Sequence, residues 1–444
     1  MNDTSHATND PALYRRLAWR LLPFLFVCYV VAMIDRLNVG YAKLQFLADL
    51  HFDDATFGIA AGVLYVGYIL FEIPSNLMLE RVGIRATLLR IMCLWGLFAC
   101  ALAFAANRWS FYGLRFLIGA AEAGFFPGIV FYLTLWFPNA WRARMTSLFA
   151  LAVPLSGVLA APASAWIMTH LTGAAGLRGW QWLFLLEGAP ALVLAFVAYW
   201  YLPNRPADAT FLDDAERAIL ARDLGDDDRK SGAKGGFVAA LKDIRIYGLA
   251  LVYFAFYSTQ SILLLWVPTL LKNTGVKDLT EIGWRASAVF VVGALGMAAI
   301  GWSSDRLQER RGHLIGCGVV ASAALIALSF FAKDANATMV LLMVAGAGIF
   351  AYLALFWTVP TAVLGAHSRA GGIALVSSLG ASGSALSPTF IGWAQVLTGS
   401  LYGAITALAV LFLASLIVLW ACAPRPARAR AVATPPTFAH AAKG

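Results

Sequence analysis

Asn76-Leu77-Met78-Leu79-Glu80-Arg81-Val82-Gly83-Ile84-Arg85 interrupts one long apolar run, and Gly301-Trp302-Ser303-Ser304-Asp305-Arg306, followed by Arg310 and Arg311, interrupts another. Acid and arginine recur at an offset of 225 residues, so the chain reads as two copies of one unit. Around these stretches polar groups are scarce. Of 444 residues, 60% are hydrophobic and 13% charged, too few charges to cover a water-facing surface. Lipid is the remaining solvent. Apolar segments of spanning length read as 18–42, 55–79, 86–106, 110–135, 144–170, 181–202, 246–271, 283–304, 313–332, 337–364, 370–397 and 400–422. Each must be helical, because lipid offers no partner to backbone polar groups, and the runs are too long and continuous for barrel strands. The expected fold is an all-α membrane protein with twelve transmembrane helices in two six-helix halves.

The division that follows has an N-terminal tail at 1–17, a first bundle at 18–202, a linker at 203–245, a second bundle at 246–422 and a tail at 423–444. Leu212, Ala215, Ile219 and Leu220 stand at helical spacing in the linker, which predicts a short amphipathic helix over 211–220 on the inner face. Lys and Arg set the orientation. Of 33, 24 fall on the side of the termini, 7 on the opposite side (Lys43 among them) and two inside spans, placing both termini in the cytoplasm. Because the charges sit at helix ends, the net charge of +9 is no nucleic-acid surface.

Cys28, Cys93, Cys100, Cys317 and Cys422 are odd in number and scattered through apolar runs, against a disulfide framework or a zinc site. The polar start from Met1 to Pro11 leads directly into a full span, so no cleavable signal is expected. Hydrolase, zinc-protease and phosphate-loop signatures are missing, so neither an enzyme nor a cofactor is expected.

Charge inside a membrane costs about 2.5–3.5 kcal/mol per residue on insertion scales, so each instance asks for a role. The spans hold Asp35, Glu72, Glu122 and Glu187 with Arg36 and Arg115, all in the first half. Seven residues separate Arg115 from Glu122, two turns that return them to one face. Asp35 and Arg36 are adjacent and point about 100° apart. Arginine binds a carboxylate through a planar fork, and a nearby carboxyl that takes up a proton releases that fork. These residues predict Asp35 and Glu122 as proton sites and Arg115, with Arg36 second, as the anchor of an organic anion. For Glu72 and Glu187, near span ends or beside Pro74 and Gly188, locking of neighbouring helices is the expected role. In the second half, Tyr257, Gln260, Trp357, Thr358 and Ser377 are neutral candidates for the cavity wall, Gln260 by its repeat correspondence with Asp35. His170, His313 and His367 lie near span ends and read as surface groups.

The loop around Gly83 and its counterpart resemble the signature of the major facilitator superfamily, with Asn76 in place of the usual glycine and Glu80 in place of the usual aspartate. The resemblance implies a gating latch at Glu80, Arg81, Arg85, Asp305 and Arg306. Tyr29 to Gly40, Phe71 to Asn76, Arg115 to Gly128 and Trp182 to Gly188 are similar to the anion:cation symporter branch, whose members import phthalate, tartrate, sugar acids and other carboxylates with protons. That branch places the proton and anion site at Asp35-Arg36 and the Arg115 to Glu122 face, and Tyr68 and Gln260 at polar cavity positions. It implies a monomeric inner-membrane symporter whose partners are a carboxylate, protons and the lipid bilayer. Met33, Ser377 and Ala381 depart from the branch where relatives carry Tyr or Asn-rich segments. The aromatic and aliphatic content of the second half leans toward an aromatic or mixed substrate. Exchange or antiport is an alternative, faintly echoed by Gly157 to Ala165, as is a sensor that binds without transporting.

Overall fold

The computed structural model describes residues 11–231, 243–307, 309–363 and 369–423. Its regular elements there are all helices. Before the linker come α1 (Pro11–Asp49), α2 (Asp54–Ala101), α3 (Arg108–Glu122), α4 (Phe125–Thr134), α5 (Asn139–Ala150), α6 (Ala152–His170) and α7 (Gly179–Tyr201). The linker carries α8 (Asp214–Ser231). After it come α9 (Ile244–Leu265), α10 (Val267–Asn273), α11 (Leu279–Leu307), α12 (Arg311–Ala327), α13 (Ala335–Phe356), α14 (Thr358–Val363), α15 (Arg369–Thr398) and α16 (Tyr402–Cys422). His367 lies outside the described residues.

Nine helical stretches among the described residues are long and apolar enough to cross a membrane. One of them, Asp54–Phe104, has 51 residues, about 75 Å at 1.5 Å per residue and more than twice a bilayer core. It breaks at Gly83, whose φ of 80° and ψ of 174° no helix contains, and so holds two of the expected spans. The expected loop over 80–85 is therefore a turn made by one glycine, whose positive φ carries no steric penalty there. With the shorter apolar helix Arg311–Ala327 and the 30-residue α15, the helices are consistent with twelve crossings.

Four expected spans are broken rather than continuous, the fifth at Leu151 between α5 and α6. The fourth parts into α3 and α4 at Ala123 and Gly124, the latter with φ 86°. The seventh parts at Trp266 and the tenth at Trp357. Only the Ala123–Gly124 break has non-helical backbone, which is tolerated at membrane depth where it is buried in protein, and Ala123 is buried. By contrast α1 is longer than expected, beginning at Pro11, a residue that suits a first helical turn, and ending at Asp49. Its extra first turns meet the linker: the Tyr14 hydroxyl donates to Asp223 Oδ2 at 2.9 Å, and Arg16 pairs with Glu216. The linker helix begins at Asp214, three residues later than expected, and runs on to Ser231, with Leu220 on it and Leu212 just before it buried.

The helices before and after the linker meet along two lines, α2 against α15 and α6 against α11. Both are glycine seams. A Cβ on Gly58 would stand 2.3 Å from the Pro388 carbonyl oxygen, and one on Gly62 2.3 Å from that of Ala385. One on Gly392 would stand 2.2 Å from the Asp54 oxygen. On the other line Gly283 faces the Ala161 oxygen at 2.7 Å, and the Ser287 hydroxyl donates to Val158 O at 2.9 Å. Between them, Lys43 is 3% exposed, a correction to its reading as an outer-loop charge. Its Nζ pairs with Asp54 at 2.6 Å, lies 3.8 Å from the Trp266 ring centroid and donates to Thr269 Oγ1 at 3.3 Å. Reciprocally, Lys272 Nζ donates to the Leu44 oxygen at 3.2 Å. The Lys43 and Lys272 bonds and the Gly58 and Gly392 contacts gather around the α1–α2 connection, so the bundle is sealed at that end.

Overpacking a closed contact costs about 1–3 kcal/mol, and 1.4 kcal/mol is tenfold in an equilibrium. Gly62→Val, which wedges α2 from Ala385 and Thr389, is expected to raise the labelling rate of a Thr389→Cys reporter by a membrane-impermeant maleimide about tenfold, with the native cysteines replaced by serine. An unchanged rate would show that this seam does not seal the end.

Candidate anion and proton site

Asp35 and Arg36, one residue apart on α1, enter different environments as the helical turn requires. Asp35 is 3% exposed. Its Oδ2 accepts from Trp95 Nε1 at 2.8 Å and its Oδ1 from Asn38 Nδ2 at 3.1 Å. Both donors escaped the sequence reading, although Asn38 stands at the i+3 spacing from which it reaches back to Asp35. Trp95 could not be found that way, because it arrives from the far half of α2, sixty residues along.

Arg36 turns the other way. Its Nε donates to Glu122 Oε1 at 2.8 Å, with side-chain exposures of 20% and 2%. Glu122 is the last residue of α3, directly before the Ala123–Gly124 break. Arg36, rather than Arg115, is thus the arginine paired with Glu122. Bonding through Nε leaves both terminal amino groups of Arg36 without a hydrogen-bond partner among the described residues. Tyr68 and Tyr65 flank the guanidinium, their ring centroids 5.2 and 5.9 Å from its central carbon. Tyr65 had no place in the sequence reading, yet it precedes the candidate Tyr68 by three residues and so shares its helix face.

Arg115 is 2% exposed and its Nε donates to the Ala60 carbonyl at 3.4 Å. No carboxylate among the described residues lies within 4 Å of it, but it interacts electrostatically with Asp35, Glu122 and Arg36. Close approach of α2 and α3 holds this arrangement, since a Cβ on Gly119 would fall 1.8 Å from the Leu64 carbonyl oxygen. Glu122 by contact and Asp35 at longer range offset the two arginines, while Glu72 also interacts with Arg36 and Glu187 with Asp35, so these charges are buried among one another and not alone.

The remaining candidates divide. Tyr257 and Trp357 join an aromatic group on α9 and the α13–α14 break: the Tyr253 and Tyr257 hydroxyls are 3.0 Å apart, and Tyr253 sits 4.9 Å from Trp357 and 4.5 Å from Phe356. Tyr257 interacts electrostatically with Arg36 and Tyr65. Gln260 is 5% exposed and its amide makes no hydrogen bond among the described residues. Thr358 Oγ1 donates to its own helix at Leu355 O, 2.6 Å away, and Ser377 is half-buried on α15. Glu187 accepts from Ser164 at 2.9 Å, tying α7 to α6 through a hydroxyl rather than a charge. Glu72 is half-buried, and its carbonyl accepts from Asn76 Nδ2 at 2.9 Å.

Among the described residues, Arg85 and Asp305 bond to partners in their own half of the chain. Arg85 binds Tyr199 O at 2.6 Å and Asn204 Oδ1 at 3.1 Å, both at the end of α7. Glu80 and Arg81 form no ion pair among the described residues. In the second copy Asp305 pairs with Arg310, and Arg306 lies over Trp302 at 5.3 Å. Glu309 lies beside them. Although partial burial works against its charge, amide bonds from Gly312 and His313 hold its carboxyl below the usual range. His313 serves there, and His170 caps Trp166 O at the surface.

These features define a helical membrane protein with charged side chains buried in its interior, and the chain belongs to the major facilitator superfamily. Its sequence matches that family, described as Major Facilitator Superfamily, over residues 25–388 and again over 249–441. It is 40% identical to a putative metabolite transport protein, NicT, of Pseudomonas putida, covering 91% of this chain and 92% of that one. It is also 40% identical to a putative tartrate transporter of Agrobacterium vitis, over 93% and 92%. A bacterial homologue of the human lysosomal transporter Spinster shares the fold, with a TM-score of 0.73 at 17% identity over 93% of this chain and 99% of that one. The protein is a multi-pass membrane transporter, not an enzyme.

Breaking a buried pair by removing one partner costs about 3–5 kcal/mol, more than removing both. Arg36→Leu, which strands Glu122, is therefore expected to unfold at lower denaturant in detergent than the double variant Arg36→Leu/Glu122→Leu. Additive effects would show that the two side chains are not coupled.

Proposed function

We propose that the protein imports an organic carboxylate together with protons by alternating access, across a bacterial inner membrane and with both termini in the cytoplasm. The observation that carries this reading is the Arg36–Glu122 bond through Nε, with the two terminal amino groups of Arg36 left open. In the empty site Glu122 neutralises Arg36. Protonation of Glu122 removes that charge and releases the guanidinium, whose terminal N–H bonds form the fork that binds a carboxylate bidentately. The bound anion then supplies the negative charge that Glu122 gave up, so the loaded site carries no unpaired charge as the helix groups rock. Asp35, held by Trp95 and Asn38 and facing Arg115, is the second proton site, and Arg115 sets the positive potential around both.

The reading extends to the rest of the molecule. The sealed end around Lys43 and Trp266 is the outer gate, and Glu80, Arg81, Arg85, Asp305 and Arg306 form the inner latch, which engages when that gate opens. The unit is a monomer of two six-helix halves. The tartrate transport in a relative's name supports a carboxylate substrate. Exchange of one anion for another on the same arginine is the second reading, favoured by the same open fork.

Reconstituted in liposomes, Glu122→Gln is expected to keep substrate exchange and to lose accumulation driven by a pH gradient. Retained accumulation removes Glu122 from proton coupling. Arg36→Ala is expected to abolish binding in the same preparation, and undiminished binding would remove Arg36 as the anchor.

A further inference from the structure

Glu187 is a buried acid to which the carrier reading gives no task. It is 6% exposed, and no cation pairs with it among the described residues. The Ser164 hydroxyl donates to its Oε1 at 2.9 Å, while its Oε2 has no hydrogen-bond partner. Ionised, it would be an unpaired charge at membrane depth, a far greater cost than keeping its proton. Oε2 is the atom free to carry that proton.

The packing of α7 fixes where this acid stands. At its start the Trp180 amide donates to Gln45 Oε1 at 3.1 Å and the Trp180 ring to Asp49 Oδ2 at 2.9 Å, so α7 begins beside the last turns of α1. At its other end the Tyr201 hydroxyl donates to Arg20 O at 2.7 Å, so the two helices run in opposite directions. Glu187, seven residues past Trp180, is about 10.5 Å along α7, whereas Asp35, fourteen residues before Asp49, is about 21 Å back along α1. Glu187 thus lies between Asp35 and the sealed end.

Two side chains of α1 fill the interval. Asn38 donates to Asp35 Oδ1 at 3.1 Å and stands within hydrogen-bonding reach of Glu187. Tyr41, 3% exposed, interacts electrostatically with Glu187. From α2 the titratable neighbour is Cys100, whose thiol donates to Leu185 O at 3.7 Å. Glu187 Oε2, Asn38 Oδ1 and the Tyr41 hydroxyl are all buried without a partner among the described residues. Polar atoms orphaned together are the setting in which a buried water makes its usual complement of about three hydrogen bonds.

The two acids differ in their support. Asp35 has Trp95 and Asn38 as donors and the attraction of Arg115 and Arg36, while Glu187 has one hydroxyl. Each also disfavours a second negative charge on the other. One proton between them therefore rests on Glu187.

We propose that Glu187 is the proton donor to Asp35. Its Oε2–H bond breaks as an O–H bond forms on the Asp35 carboxylate, the proton crossing through a water held by Asn38 Oδ1 and the Tyr41 hydroxyl. The Glu187 carboxylate then takes a replacement proton when the sealed end opens. This rests on the reading of Asp35 as a proton site and supplies that site's route.

The test is infrared spectroscopy of the purified full-length protein in lipid, which reads the carbonyl stretch of protonated carboxyls without any substrate. At neutral pH a buried carboxyl band is expected that Glu187→Gln deletes, and on acidification a second band that Asp35→Asn deletes. After a rapid pH drop, Glu187→Gln should slow the rise of the Asp35 band at least about tenfold and leave its final height unchanged. Glu187→Asp, still an acid, should restore most of the rate. In Asp35→Asn, Glu187 should lose about tenfold in proton affinity, since the like charge beside it is gone. A helix lock needs only an acceptor for Ser164, which Gln supplies. An unchanged rate in Glu187→Gln, or no neutral-pH band for it to delete, therefore overturns the relay and leaves Asp35 as a proton site. An Asp35 band that never appears while the Glu187 band titrates overturns Asp35 as a proton site, and the relay with it. If Glu187→Gln does not fold, Ser164→Ala takes its place: loss of the bond to Oε1 should move the Glu187 band to higher frequency and slow the Asp35 rise, and an unchanged band and rate decide against the relay.

Discussion

A guanidinium held by a carboxylate through one nitrogen, inside a shell of apolar helices, is the constraint on which the rest of the structure turns. In lipid neither Arg36 nor Glu122 could be buried alone, so α1 and α3 must bring them together. That requirement explains the close approach of α2 and α3 at Gly119, the break after Glu122 at Gly124, and the tyrosines that surround the cation. Asp35 and Arg115 repeat the balance beside it with different means: neutral donors hold the acid, and the arginine acts at longer range.

Such a site has to be sealed on one side while it stays reachable from the other. Contacts between the two groups of helices gather at the α1–α2 end, where Lys43 is wedged against Asp54, Trp266 and Thr269. The repeat shows itself there in physical form. Lys43 of α1 reaches α10, and Lys272 of α10 reaches back to α1, as two related units facing one another would do. The linker helix is tied to α1, and so to the helices before it, by Tyr14 and Arg16.

How much of this could be read from residues alone depends on the range of the contact. Apolar runs gave the helices, and the acid-arginine repeat gave the family, because both are local patterns. Spacing on one helix placed Arg115 and Glu122 on a face, and adjacency separated Asp35 from Arg36. Pairing across helices was not legible: nothing local says that Glu122 takes Arg36 in preference to Arg115, or that Trp95 completes Asp35. Lys43 misled for the same reason. Its charge near a span end resembles a loop residue until Trp266, more than two hundred positions away, covers it. The broken spans were hidden too, since Ala123, Trp266 and Trp357 are apolar and leave the hydropathy of their runs intact.

The glycine seams carry a mechanical meaning. Where Gly58, Gly62 and Gly392 meet their partners, backbone touches backbone, and the Thr389 hydroxyl donates to Gly58 O at 3.2 Å across the line. Parting such a surface breaks few side-chain contacts, so it resembles two smooth plates more than a zipper. Sealed and unsealed forms can then lie close in energy, and a small difference in what each form binds is enough to tip the choice between them.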